Sequence, residues 1–501
     1  MRRKQLIEFI AIALLFLLIY HQVFYGDYFF SDDVHQLWYN KYYSAYAASA
    51  SQGRWISGLI FDAFFGFITT ISELRYLHIF SLFSWLLTVL VWYFIITKWV
   101  NQLKLDNRYV FLTTLFIVCC IPVAIYIGWA SCIEMFAGIA AGLMSGHFLF
   151  MDLLKKRKPS ISTVFICIIT GLISLCTYQN TFGMFLLPFF IYYLHEQTTK
   201  PGRIVVYGIL SYCLVIALYY ILFSYAASLN TGAQNDRVKL TSDILGKLSF
   251  LFSDPLPMTF SVNLLYSSRS IFSQVLAPLM MGAWAISSFF RFRKVGVLPV
   301  FGRLLFILLL LILIYLPSMV TAENFSSYRT LFVFQLAVYY LLIEQLFYFI
   351  KSEKNKKIIV YALCLFLIAT GFYNFNFQFI HPLKAEYKAF TLFMNKNMDS
   401  SKDTVYFIRS NPFLFSHYYH ALPYKDEFGL PSTNKDWVPE PLIKQFVLES
   451  TANRKLAEKI KVIQFADTLE FNNTHTRLTE HDLLLDMNEV VENYNEGKSE
   501  K

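Results

Sequence analysis

Charge is what this sequence has least of. Asp, Glu, Lys and Arg make up 15% of its 501 residues, whereas soluble domains carry roughly a quarter. With 56% hydrophobic residues and a mean hydropathy of +0.46, that shortage excludes an ordinary soluble chain and points to a membrane protein. An acidic excess is also lacking, since the formal net charge is +9. The basic surplus does not read as a nucleic-acid groove. Most basic residues before residue 380 lie in short clusters between apolar runs, as topology determinants do. Cysteine is too sparse for a disulfide framework. All seven (Cys119, Cys120, Cys132, Cys167, Cys176, Cys213, Cys364) fall in apolar runs without metal-ligand spacing, and read as buried free thiols acting as small hydrophobes. A cleavage site is missing after MRRKQLIEFIAIALLFLLIYHQVFYG, where Tyr20, His21, Val23, Phe24 and Tyr25 are too bulky. The start therefore reads as an uncleaved first span.

What is present is a series of apolar runs. A span needs about 20 mostly apolar residues, and eleven segments qualify: 6–25, 76–97, 109–128, 131–151, 161–178, 181–195, 204–224, 271–290, 298–320, 328–350 and 358–378. WISGLIFDAFFGFITTI (55–71) is a shorter twelfth run that carries Asp62. Charge decides between the two counts. With eleven spans, nineteen basic residues fall in the inside loops: Arg2, Arg3, Lys4; Lys98, Lys104, Arg108; Lys155, Lys156, Arg157, Lys158; Lys200, Arg203; Arg291, Arg293, Lys294; Lys351, Lys354, Lys356, Lys357. Only eight fall outside: Lys41, Arg54, Arg75, Arg237, Lys239, Lys247, Arg269 and Arg329. The positive-inside rule then puts the N-terminus in the cytoplasm and leaves 55–71 in, or re-entering, the outer interface. The regions outside are a first loop (26–75), a second (225–270), and the tail from about 380. Residues 1–380 read as the membrane domain. In 381–501, KAEYKAFTLFMNKNM has helical spacing, DTVYFIRS alternates as a strand, KLAEKIKVIQF suggests helix then strand, and HDLLLDMNEVV suggests another strand. The fold class is thus an all-α polytopic membrane protein of about 11 helices with a small α/β extracytoplasmic domain. Its last residues, NEGKSEK, read as frayed.

Polar residues in such a chain are costly and usually face a cavity or a partner. Asp32, Asp33 and His35 (FFSDDVHQLWY) open the first outer loop, and Arg54 (SQGRWISG) lies later in it. Glu134 (WASCIEMF) sits in the outer part of the fourth span, Tyr178, Gln179 and Asn180 (CTYQNTFG) at the outer turn between spans five and six, and Glu323 and Arg329 (TAENFSSYR) between nine and ten. Each has a plainer role open to it. Asp–Asp after a helix makes a solvated turn or an N-cap, an Arg before Trp snorkels, and Glu323 can pair with Arg329. Their common level is what favours a site at the outer surface. At the inner face, Glu8 and Glu344 can pair with nearby lysines.

Such a set suits sugar transfer from a lipid phosphate. Outside the cytoplasm no nucleotide sugar is available, so the donor is a polyprenyl phosphate-sugar. Its phosphate leaves without a general acid, but the acceptor hydroxyl needs a base, which a placed carboxylate supplies. Arg meets the charge growing on the phosphate. Aromatic residues, 18% of the chain, suit sugar rings at headgroup level. Two adjacent acids should titrate as a coupled pair.

The acidic pair after span one, GRW (53–55), Glu134, the Tyr178–Gln179 pair and Arg329 together resemble the GtrII-type glucosyltransferases. These are GT-C-like membrane enzymes that glucosylate bacterial O-antigen lipopolysaccharide at the periplasmic face of the inner membrane from undecaprenyl phosphate glucose. The resemblance covers roughly residues 6–380. It implies Asp32 or Asp33 as catalytic base, places Glu134, Gln179 and Arg329 in the donor and acceptor site, and agrees with membrane-surface helices in the first outer loop. Chemistry then puts Arg54 or Arg329 on the phosphate. No cofactor is implied. A divalent ion at Asp32 and Asp33 stays open, without a ligand set to accompany it.

Three alternatives share the spans. A flippase or transporter of lipid-linked sugars would place polar groups at mid-membrane or on both sides. A lipid-linked polysaccharide polymerase or ligase would lean on Arg and His in large outer loops. A scaffold would leave the polar cluster idle. The expected partners are the bilayer, the lipid donor and a surface glycan, with no nucleic acid.

Overall fold

Within a bilayer only a helix satisfies every backbone N–H and C=O from its own segment, and the apolar runs of this chain are helical. The computed structural model describes residues 3–40, 45–156, 158–196, 201–229, 239–266, 270–424, 427–474 and 477–499. Of the basic residues that set the expected topology, Arg2, Lys41, Arg157, Lys200, Arg237 and Arg269 lie outside the described residues. The principal helices are α1 (Arg3–Ile19), α2 (Asp32–Tyr39), α3 (Trp55–Phe67), α4 (Leu74–Gln102), α5 (Arg108–Cys119), α6 (Ile121–Gly128), α7 (Met135–Lys155) and α8 (Ile161–Thr177). They continue with α9 (Leu187–His195), α10 (Arg203–Leu229), α11 (Ile271–Phe292), α12 (Val297–Ile314), α13 (Tyr328–Phe349) and α14 (Glu353–Tyr373).

Among the described residues, seven helices are long and apolar enough to cross a membrane, or eight if the bent pair α5–α6 is one span. The chain is thus a helical membrane protein, with fewer qualifying helices than the eleven expected. The shortfall has local causes. The apolar part of α1 is Leu6–Ile19, and α8 has 17 residues. Segment 181–195 is divided into a 3-10 stretch, Gln179–Phe185, and the nine-residue α9, which opens on Pro188. α3, which is not among the eleven, has 13 residues and is about 20 Å long, short of a hydrocarbon core of about 30 Å.

The α5–α6 bend of 43° lies at Pro122, whose missing N–H and ring cannot continue the helix. Asn263 supplies the lost partners. Its Oδ1 accepts from Ile121 N at 3.1 Å and its Nδ2 donates to Cys119 O at 2.9 Å. Near the other end of the bundle, Glu344 pairs with Arg291 where a lysine was expected, and Glu8 accepts from the Tyr93 hydroxyl at 3.1 Å. The thiols are all free, but Cys213 is exposed and Cys364 half-buried, against the expectation that all are buried.

α14 does not end where the membrane domain was expected to end. It continues through a π-helical stretch, Asn374–Ile380, into α15 (His381–Asn397), the π stretch falling just before Pro382, which donates no backbone hydrogen bond. Beyond it lie β1 (Thr404–Ile408), α16 (Pro439–Thr451), α17 (Arg454–Lys459), β2 (Lys461–Phe465), β3 (Asp482–Asp486) and α18 (Met487–Ser499). The three strands are parallel in the order β2-β1-β3, with Val405 opposite Val462 and Leu483. The third expected strand stops at Asp486. Asp486 Oδ1 accepts from Asn488 N at 2.9 Å as α18 begins, so NEVV is helical, and α18 holds the residues expected to fray as far as Ser499.

This α/β region shares a hydrophobic core with the first loop: Val34, Leu37 and Trp38 of α2 pack with Val438, Leu442 and Phe446. Arg454 lies 4.6 Å over the Trp38 ring. That shared core fixes α2 against α16.

Candidate active site

α2 has an amphipathic sequence, and its two faces go to different places. Residues at i, i+3, i+4, i+7 and i+8 share one face of a helix. Here Asp32, His35, Gln36, Tyr39 and Asn40 line a cavity of about 730 Å3, while Asp33, Val34, Leu37 and Trp38 are buried behind them. The cavity lies at the end of the bundle where α4, α7 and α13 begin and α6 and α8 end. Its walls include Arg54, Glu134, Tyr178, Gln179, Asn180, Glu323 and Arg329, with Trp437 from the α/β region. Residues distant in sequence and singled out for one level thus meet around one space. Asp33 is the exception.

Asp33 is 0% exposed. Its Oδ1 accepts from Ser131 N at 2.9 Å and Ser131 Oγ at 2.8 Å, and its Oδ2 accepts from Phe30 N at 3.0 Å. Burial pushes its carboxyl up to about 7, the Ser131 and Phe30 hydrogen bonds pull it down, and the Asp32 charge adds the smallest upward push. One acid of the expected pair is raised, though chiefly by burial and only slightly by its neighbour's charge. Asp33 latches α2 to the turn before α7, and Asp32 faces the cavity. Ser31, which precedes them, has φ of +44°, a strained value for a side-chain-bearing residue. Its N–H is held by Ser432 Oγ at 3.2 Å. His35 is pushed below its usual pKa by burial, against the opposing pull of Asp32.

Arg54 enters after Gly53, whose φ is +75° and where a Cβ would collide with the Tyr219 hydroxyl; only glycine fits that turn. The Arg54 guanidinium lies 4.3 Å over the Tyr178 ring, and its Nε donates to Gln179 Oε1 at 3.1 Å. Gln179 is itself fixed, its Nε2 donating to Gln52 O and to the Tyr219 hydroxyl, each at 2.8 Å. One edge of the guanidinium is thus used for positioning. Among the described residues no carboxylate lies within ion-pair distance of Arg54. The 178–180 turn can approach α7 because Gly142 leaves room: a Cβ there would be 2.8 Å from Thr181 O. Asn180 Nδ2 donates to Ser318 Oγ at 2.9 Å.

Arg329 lies 4.5 Å over Trp129 and pairs through Nε with Glu427 at 3.6 Å. Glu427 also accepts from Tyr328 N at 2.6 Å and Arg329 N at 3.2 Å, at the start of α13. Glu134 is 4% exposed and its Oε2 has no hydrogen-bond partner among the described residues. The Glu323 carbonyl accepts from Lys247 Nζ at 2.8 Å. Sequence reading missed Ser131, Tyr219, Glu427, Ser432 and Trp437. Nothing local marks them, because each matters through a contact with a distant segment. Among the described residues no three of His, Cys, Asp and Glu gather as a metal site.

Ile216 and Phe223 of α10, with Leu316 and Val320 after α12, make part of the wall apolar. The space therefore offers a carboxylate, an oriented guanidinium, aromatic faces and a surface suited to hydrocarbon. No family model matches this chain, and neither a curated protein nor a solved structure does.

Proposed function

We propose that the protein is a membrane glycosyltransferase that moves a hexose, glucose on the resemblance above, from a polyprenyl phosphate-sugar to a surface polysaccharide. The observation that carries this is the meeting of Asp32 and Arg54 in one cavity with a partly apolar wall. The acceptor hydroxyl attacks the anomeric carbon while Asp32 takes its proton. The bond from that carbon to the phosphate oxygen breaks, and the polyprenyl phosphate leaves against the terminal N–H groups of Arg54. Direct displacement inverts the anomeric centre. Glu134 Oε2, an acceptor with no hydrogen-bond partner among the described residues, suits a sugar hydroxyl.

Charge supports a monophosphate carrier over the diphosphate that a polymerase or ligase would use. Asp32, Glu134 and Glu323 line the cavity with Arg54 and Arg329, and Arg329 is already paired with Glu427. Among the described residues this leaves the Arg54 guanidinium for phosphate, which suits a single phosphate group. The GT-C-like class, the eleven-span count with its short and broken helices, and an inner-membrane location with a cytoplasmic N-terminus and a periplasmic α/β region are parts of the same proposal. Basic clusters at the opposite helix ends support them.

The test is transfer from synthetic polyprenyl phosphate-[14C]glucose by the purified protein in lipid nanodiscs, with lipid-linked glycan extracted from the producing cells as acceptor. Asp32→Asn is expected to lower turnover by about 10²–10⁴-fold with donor binding and thermal midpoint unchanged. Full turnover in this variant would remove the base assignment, and no transfer by the wild-type protein would remove the function.

A further inference from the structure

We propose that Trp437, with Gln36 and Asn40, forms the acceptor subsite, in which a neutral pyranose ring lies on the indole and gives hydroxyl hydrogen bonds to the two amides. The proposal rests on the glycosyltransferase reading. Trp437 is the most exposed of the eight tryptophans, at 43%, yet it lines the same cavity as Asp32. Its neighbour Val438 is fully buried in the core shared with α2, so adjacent residues face opposite ways. The tryptophan is therefore held in place by the residue beside it. Lys435 Nζ lies 5.5 Å from the ring centroid, and the opposite face of this amphipathic ring, in a cavity wall outside the candidate spans, is the platform for the apolar face of a sugar.

The amide side has its own sign of a missing ligand. Asn40 Oδ1 is buried and has no hydrogen-bond partner among the described residues, a condition that native structures usually relieve with a donor. Gln36 and Asn40 follow Asp32 by four and eight residues, about 6 and 12 Å along the helix axis, the reach of one to two sugar rings from the base.

The wall is also rigid relative to that base. Glu386 accepts from Ser432 N and Thr433 N at 3.0 Å each and from Thr433 Oγ1 at 2.6 Å. Ser432 Oγ in turn holds Ser31 N, next to Asp32. The apolar wall of α10 is left for the prenyl chain, so donor and acceptor meet different surfaces.

Initial rates would be measured against each substrate in turn, with the nanodisc protein, polyprenyl phosphate-glucose and the extracted lipid-linked glycan. Trp437→Ala is expected to raise KM for the glycan at least tenfold and leave KM for the donor within twofold, with Trp437→Phe intermediate and Asn40→Ala raising the glycan KM several-fold. An unchanged glycan KM in Trp437→Ala, or a donor KM that rises in parallel, would overturn the subsite. A second readout needs no turnover. Adding the glycan without donor should quench tryptophan fluorescence in the wild type and not in Trp437→Phe, and equal responses would overturn the proposal. Quenching without any sugar transfer would instead uphold docking and sink the transferase reading.

Discussion

Asp32 and Asp33 are chemically identical neighbours with opposite roles, because successive residues on a helix point about 100° apart. One turns toward the cavity and the other into the protein, where three donors meet it. Asp33→Asn turns one accepting oxygen into a donor facing another donor. It should cost about 1–3 kcal/mol, read as a lower thermal midpoint in nanodiscs. The pH dependence follows from the same burial. The folded carboxyl holds its proton up to about pH 7, while the unfolded one releases it near pH 3.9. Its contribution to stability is therefore full below about pH 4 and is lost as pH rises toward 7. Asp33→Asn should flatten the midpoint across that window, and an unchanged slope would refute this.

At the scale of elements, the site is assembled from ends: the N-terminal turn of α2, the Gly53 turn before α3, the break after α8 and the start of α13. Helix ends and 3-10 turns leave backbone groups open and side chains aimed along the axis, which is why polar residues collect there. Arg54 shows what such an element adds. Tyr178 and Gln179 fix the plane of the guanidinium before any ligand arrives. Lysine keeps the charge but loses the planar fork. Arg54→Lys should raise the donor KM and lower turnover, together cutting kcat/KM for the donor roughly 10- to 100-fold, from a loss of about 1.5–3 kcal/mol of charged hydrogen bonding to a phosphate whose charge grows in the transition state. An unchanged donor KM would move the phosphate to Arg329.

At the scale of the whole molecule, the α/β region is built into the site. Glu427, 0% exposed, joins it to the start of α13 and to Arg329, and Ser432 joins it to Ser31. Glu427→Gln removes a carboxylate and frees the Arg329 guanidinium beside the cavity, so donor binding should tighten through Arg329. In a double-mutant cycle with Arg329→Gln, donor binding should show a coupling of about 0.5–3 kcal/mol. Strictly additive effects would reduce Glu427 to a capping residue.

The sequence by itself determined the membrane character, the helical runs, the strands of the α/β region and the ten polar residues at the outer level, nine of which line one cavity. Those follow from composition, periodicity and the cost of polar groups in lipid, which are local properties. Tertiary structure decided which acid faces the cavity, that Arg329 pairs with Glu427, and that Trp437 joins the wall. Those outcomes depend on partners far away in the chain, as Ser131 is 98 residues from Asp33 and Ser432 is 401 from Ser31. A window along the sequence contains no trace of such contacts, because burial and pairing are set by what packs against a residue and not by what precedes it.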